Sequence, residues 1–272
     1  MGGRYSIGMW MMAWFDEIVL FNTTQLRLAH ITDCHLFADP QGEYFRVNTA
    51  EHFSRALAHM AEQSLDAVIF GGDLTQDHSF ESYLLFAQLI ADSALTCPVF
   101  WVPGNHDDIS AMQRISGGQI HSEKRIQTAG FELLLINSKG PTPAGWVSEP
   151  HLNELSDLLA ESARPSVAFC HHNPLPINGY LDKHMLENGP QLLNILQNSG
   201  QVRHLFHGHV HNDYQFKFRN IDVIATPASS VQFTKNTAHW QQQNLGASYR
   251  LLTIARPINA MSVDSELIWL NE

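Results

Sequence analysis

Apolar residues in this chain fall in short unbroken runs, separated by segments with helical spacing. Leu26–Thr32 (LRLAHIT), Asp66–Gly71 (DAVIFG) and Pro98–Val102 (PVFWV) are uniformly apolar and short, so they read as buried strands. After the first comes Asn48-Thr-Ala-Glu51, a helix-start signal in which Asn caps a free N–H and Glu51 can reach back. Phe53, Leu57, Met60 and Ala61 follow at helical spacing and predict a helix to about Gln63. A second helix is expected over Phe80–Ala91, with Tyr83, Phe86, Leu89 and Ile90 on one face. The order β-α-β-α-β with continuously apolar strands implies parallel pairing covered on both faces. Strands at Phe131–Ile136 and Ser166–Cys170 flank a helix at Glu149–Leu159. The second half is strand-rich: Val202–Phe206, Tyr214–Arg219, Ile221–Thr226, Tyr249–Ala255 and Glu266–Leu270, with Asn220 as a hairpin turn. No composition break divides the chain. The expectation is one α/β domain over 26–272, preceded by an extension (1–25) of unassigned role.

Composition narrows the function. The 272 residues carry 16 Lys+Arg against 27 Asp+Glu, a formal charge of −11. That balance argues against a general nucleic-acid or anionic-membrane binder, which needs a basic surplus. The apolar stretch Met9–Phe21 is too short to span a bilayer and is interrupted by Asp16 and Glu17. Cys34, Cys97 and Cys170 are an odd, scattered set, which suits a reducing cytoplasm rather than a disulfide framework. Histidine stands apart: 16 residues, as many as all Lys and Arg together.

Those histidines concentrate in motifs at strand ends. Asp33-Cys-His35, Gly72-Asp73, Gly104-Asn105-His106-Asp107, His171-His172-Asn-Pro174 and Gly208-His209-Val-His211 each follow an apolar run. The carboxyl ends of strands in α/β sheets are where ligands bind, so the five can converge on one crevice. Each alone has a structural explanation: Gly-Asp after a strand is an ordinary turn, and adjacent histidines are often core or surface residues. In this order, each at a strand end, chance becomes a poor account. Asp, Asn and His without Cys form a nitrogen/oxygen set suited to Mn, Fe, Zn or Co. The donors are too many for one ion. They fill two sites if one carboxylate bridges, the arrangement that hydrolyses phosphate esters. His209 and His211, at i and i+2 on an extended segment, would project together, and Cys34 would point away. His30, His52, His59, His78, His121, His151, His184, His204, His207 and His239 read as structural, with His78 and His207 nearest the motifs.

The motif order resembles that of the calcineurin-like metallophosphoesterases, and most closely their bacterial class III 3′,5′-cyclic AMP phosphodiesterase branch. The resemblance runs from Leu26 to the C-terminus and includes ITDCHLF (31–37), NTAEHF (48–53), GGDLTQD (71–77), WVPGNHD (101–107), HHNPLP (171–176), LDKHML (181–186) and ATPASSVQF (225–233). It implies a four-layer α-β-β-α sandwich of two mixed sheets with flanking helices. It implies two divalent or trivalent ions, Fe or Mn foremost and Zn or Co as alternatives, and a cyclic nucleotide substrate, with neither nucleic acid nor membrane as partner. Asp33, His35 and His211 would hold one ion, Asp73 would bridge, and Asn105, His209 and one of His171 and His172 would hold the other. His106 would act on the phosphate with Asp107 orienting it. His35, Asp73, Asn105, His106, His171 and His211 would contact substrate. Counting back from Pro174 selects His172 as the ligand, whereas counting from the strand end selects His171. Other phosphoesters, such as glycerophosphodiesters, nucleotide sugars and monoesters, are alternative substrates, and a non-catalytic scaffold of this fold is a further alternative.

Overall fold

The computed structural model describes residues 13–256 and 260–271. Twelve principal strands and five helices build it. The strands are β1 (Ile18–Phe21), β2 (Gln25–Ile31), β3 (Ala67–Phe70), β4 (Val99–Trp101), β5 (Arg125–Thr128), β6 (Glu132–Leu135), β7 (Ser166–Phe169), β8 (Val202–His207), β9 (Gln215–Phe218), β10 (Ile221–Ala225), β11 (Ala247–Ala255) and β12 (Ser262–Leu270). The helices are α1 (Thr49–Ala61), α2 (Phe80–Asp92), α3 (Ile109–Ile115), α4 (Glu149–Glu161) and α5 (Gly189–Ser199).

Local signals explain where helices begin. The Asn48 side chain accepts from the Glu51 amide at 2.9 Å and starts α1. Ser79 caps α2 and Ser148 caps α4 in the same way. Two helices were not read from the pattern. α3 is short and capped by Asp108. α5 carried a legible signal, Pro190 in its first turn and a left-handed Gly200 after its last, with Leu192, Leu193 and Leu196 buried between.

Two mixed sheets result. One runs β12-β11-β2-β3-β4, closed by the two-residue strand Ile120–His121; the other runs β1-β5-β6-β7-β8-β10-β9. The run β2-β3-β4 is parallel, as continuous apolar strands require, and so is β6-β7-β8-β10. Leu26, Leu28, Ile69, Phe100, Leu133, Val167, Phe169 and Phe206 fill the space between the sheets. Phe53, Phe86 and Met112 cover the outside of the first sheet from α1, α2 and α3. Leu155, Leu193 and Leu196 cover the second from α4 and α5. The layers are therefore helix, sheet, sheet, helix.

The hairpin expected at Asn220 is present, with Phe218 facing Ile221 across a two-residue turn, but Arg219 takes the left-handed conformation (φ 52). β12 begins at Ser262 rather than Glu266, because antiparallel pairing with β11 orders its polar edge residues along the whole length. Of the segment 1–25, residues 1–12 lie outside the described part. The rest packs on the body: β1 is the outermost strand, parallel to β5, the Trp14 indole donates to the Leu135 carbonyl at 2.6 Å, and Phe15 is buried.

Candidate metal centre

All five motifs lie just past strand ends. Asp33 and His35 follow β2, Asp73 follows β3, and Asn105 follows β4. His171 and His172 follow β7, and His209 and His211 follow β8. The backbone there is not extended. Asp33, His35, Asp73, His209 and His211 all have φ between 47 and 66°, a region sparsely used by residues with a β-carbon. This corrects the extended geometry expected for the Asp-x-His and His-x-His pairs. His209 and His211 are turned into different clusters. Cys34 does point away, its thiol donating to the Leu74 carbonyl, but through this left-handed backbone and not through strand alternation.

The strained loops are zipped together. Asp33 N–H donates to Gly72 O at 2.8 Å, His35 N–H to Asp73 O at 3.1 Å, and Leu36 N–H to Leu74 O at 2.7 Å. Gly104 sits where a β-carbon would overlap the Asp73 carboxylate and amide, so only glycine allows that approach.

Two donor clusters form. The first is Asp33, His35 and His211. The His35 and His211 Nε2 atoms are 3.1 Å apart, and Asp33 Oδ1 is 3.3 Å from His211 Nε2 and 3.9 Å from His35 Nε2. The second is His171, His172 and His209, with donor atoms within 4.8 Å of one another. Asp73 lies between: its Oδ2 is 3.8 Å from His35 Nε2 and 3.4 Å from His171 Nε2. Ligands held about 2.1 Å from one ion lie about 3–4 Å from each other, so these spacings suit cations. The unsatisfied atoms point the same way. Asp33 Oδ1, Asn105 Oδ1, His171 Nε2 and His209 Nε2 are buried without a hydrogen-bond partner among the described residues. His211 Nδ1 must donate to the Val231 carbonyl at 2.7 Å, so its Nε2 presents a lone pair toward His35.

Electrostatics agree. Burial opposes charge on His171, but Asp73 and Asp33 outweigh it and push the ring up to about 9. Burial likewise opposes ionisation of Asp73, yet the facing histidines, His171 first, hold it well below the usual carboxylate range. Burial with the neighbouring His211 pushes His35 down to about 3. The carboxylates demand positive charge between them, while His35 resists carrying it as a proton.

His171 and His172 differ in the partners of their Nδ1 atoms. His171 Nδ1 lies 2.7 Å from the Gly71 carbonyl and must donate to it, so the proton on Nε2, beside Asp73, is the one a cation would displace. Ser138 Oγ accepts the backbone amides of both His171 and His172, leaving its single proton for His172 Nδ1 at 3.0 Å. In that arrangement His172 carries its proton on Nε2, an atom that is likewise buried without a partner among the described residues.

His106 lies at the half-buried edge. Its amide donates to Asp73 Oδ1 at 2.9 Å, its ring packs edge-on to His35, and Nδ1 has no partner among the described residues. Burial lowers its pKa. Asp107 does not orient that ring, which corrects the expected role. Its carboxylate accepts the amides of Asp73, Leu74 and Gly104, each at 2.8 Å, and so ties two loops together. The ring beside His106 is His78, stacked at 5.2 Å, with its Nδ1 donating to the His106 carbonyl.

A pocket of about 170 Å³ opens over Asp73, His35, Asn105, His106, His209 and His211. Its upper wall is Tyr44, Pro143, Leu181, His184, Phe233 and Trp240. None of these is a candidate site residue from the sequence: Leu181, His184 and Phe233 lie within stretches shared with the family, His184 reads as structural, and all six come from short elements and loops with no spacing rule.

The sequence profile of the calcineurin-like phosphoesterases matches residues 26–213. The chain belongs to this family. A probable cyclic nucleotide phosphodiesterase of Pseudoalteromonas sp. (strain SM9913) is 65% identical over 96% of this chain and 100% of its own length. The 3′,5′-cyclic adenosine monophosphate phosphodiesterase CpdA of Escherichia coli (strain K12) is 31% identical over 86% of this chain and 87% of its own. Among solved structures, a dimetal phosphatase of Danio rerio superposes with a TM-score of 0.65 at 14% identity, covering 88% of this chain and 95% of the other. That likeness shows the shared fold. As a member of this family the chain has a His/Asp centre that fits two metal ions.

Proposed function

We propose that this protein is a dinuclear-metal phosphodiesterase that opens 3′,5′-cyclic AMP, or a related cyclic nucleotide, to the 5′-monophosphate. The observation that carries the reading is the position of Asp73 Oδ2 between the two donor clusters, on the floor of a small pocket. Asp33, His35 and His211 would hold one ion and Asn105, His171 and His209 the other, with Asp73 serving both. When bound, the two cations would neutralise phosphoryl oxygens and acidify a water near neutral pH. The chain's own residues do the rest. Asp73 and the histidines form the floor that would hold those cations against the phosphate. His106, neutral and partnerless at Nδ1, stands at the edge where it can hydrogen-bond the departing 3′ oxygen. The hydroxyl of Ser138 holds the His172 ring at its Nδ1. The nitrogen/oxygen donors favour Fe or Mn, with Zn or Co able to substitute. The names of the relatives support the cyclic nucleotide substrate. The three free, buried cysteines support a cytoplasmic setting.

Metal-replete protein should convert cyclic AMP to 5′-AMP faster than it hydrolyses glycerophosphodiesters or p-nitrophenyl phosphate, as chromatography of products would show. Turnover of those esters with none of cyclic AMP would overturn the substrate assignment. The ligand assignment has its own test. His171→Ala should lose about one equivalent of metal by elemental analysis, whereas His172→Ala should retain two; the opposite pattern would exchange their roles.

A further inference from the structure

The metal floor accounts for the phosphate but not for the base. Aromatic side chains climb from that floor to the surface in two arms. Tyr44 stacks on His35 at 5.0 Å between centroids, and Phe45 lies 4.5 Å beyond it. Phe233 stacks on His211 at 4.0 Å, and Trp240 lies 4.3 Å beyond that. The arms meet at the mouth, where the Phe45 and Trp240 rings are 5.8 Å apart. Both tips are exposed, Phe45 at 40% and Trp240 at 37%, although large aromatic rings are normally covered. Phe45 is also held at a cost. It and Arg46 form the two-residue turn of the hairpin Glu43–Tyr44/Val47–Asn48, both with positive φ (50 and 67°), a turn that normally carries Gly or Asn. The fold tolerates an unfavourable residue there and presents its ring to solvent beside the site.

We propose that Trp240, with Phe45 opposite, is the platform on which the nucleobase of the substrate stacks while its cyclic phosphate sits on the metal floor. This rests on the cyclic nucleotide reading above and extends it to the base. Pro143, Leu181 and Phe233 bring no side-chain hydrogen-bonding atom to the wall, Tyr44, His184 and Trp240 bring few, and no Arg, Lys, Asn, Gln, Asp or Glu, the side chains that read a base edge, stands among them. The base is therefore recognised by its face. Every base has such a face, so adenine and guanine are accepted alike.

The test uses full-length, metal-replete protein as wild type, Trp240→Ala, Trp240→Phe and Phe45→Ala, with metal content and melting temperature measured for each. The substrates are cyclic AMP, cyclic GMP and the base-free 1-deoxyribose 3′,5′-cyclic phosphate. Trp240→Ala should raise KM for both cyclic nucleotides by about tenfold, the scale of one lost base stack, with kcat much less affected. Trp240→Phe should recover most of that loss, and Phe45→Ala should show a smaller rise. The base-free ester should show no comparable penalty in any variant. An unchanged KM for cyclic AMP in Trp240→Ala would overturn the proposal. So would an equal penalty on the base-free ester, since Trp240 would then only shape the pocket. A wild-type protein inert on all cyclic nucleotides would overturn this proposal and the function beneath it together; an active one with an unaffected Trp240→Ala would overturn this proposal alone.

Discussion

Replacing Asp73 with alanine should remove metal and turnover together. Its Oδ2 faces a histidine of each cluster, and its Oδ1 accepts the His106 amide. Without it the two donor sets lose their shared anion, and His106 loses the contact that seats it. Loss of a single preorganised transition-state contact already costs on the order of 10²–10³ in kcat. The loss here should reach at least on the order of 10³, the upper end of that range, because binding and positioning both depend on this residue. Elemental analysis should find fewer than two equivalents of metal, and circular dichroism should find the fold kept. A variant with two bound ions and near-native kcat would refute the bridging role.

The second large effect is on stability. Asp107→Ala should lower the melting temperature even in the presence of a chelator, where metal occupancy makes no contribution. Asp107 is 2% exposed, and its carboxylate accepts three amides at 2.8 Å, with a fourth, from Thr75, at 3.4 Å, all from the loops after β3 and β4. Alanine leaves these N–H groups buried without an acceptor, at roughly 1–3 kcal/mol each before relaxation. Some of that is offset. Burial, together with the charge of Asp73, already pushes the carboxyl up to about 6, so removing it relieves an unfavourable charge. A net loss on the order of 3 kcal/mol remains, or about 5–10 °C in a chain of this size. Asp107→Asn keeps one accepting oxygen and should fall between. If Asp107→Ala melts with the wild type while its kcat collapses, the residue acts on the chemistry directly and the loop-tying role is wrong.

These two residues show how unevenly the site could be read from sequence. Asp73 was identifiable because Gly-Asp after an apolar strand is one of an ordered series of strand-end motifs. For Asp107 the family resemblance implies a role on His106, whereas its carboxylate is found on loop amides. Neighbours in sequence point in different directions once the backbone turns, and its carboxylate meets amides of loops 3 to 34 residues away. Spacing is equally silent on His171 and His172, whose Nδ1 atoms have different partners.

The sequence by itself determined the buried strands, the capped helices α1, α2 and α4, and the inventory of donors at strand ends. Each of those depends on local chemistry: unbroken apolar runs, a side chain that satisfies a free N–H, and residue types that bind cations. Only the tertiary structure gathered the donors into two clusters around Asp73 and set Tyr44, Phe233 and Trp240 over the pocket. Those depend on left-handed turns and on loops from both sheets meeting at one edge, with no period along the chain to announce the encounter.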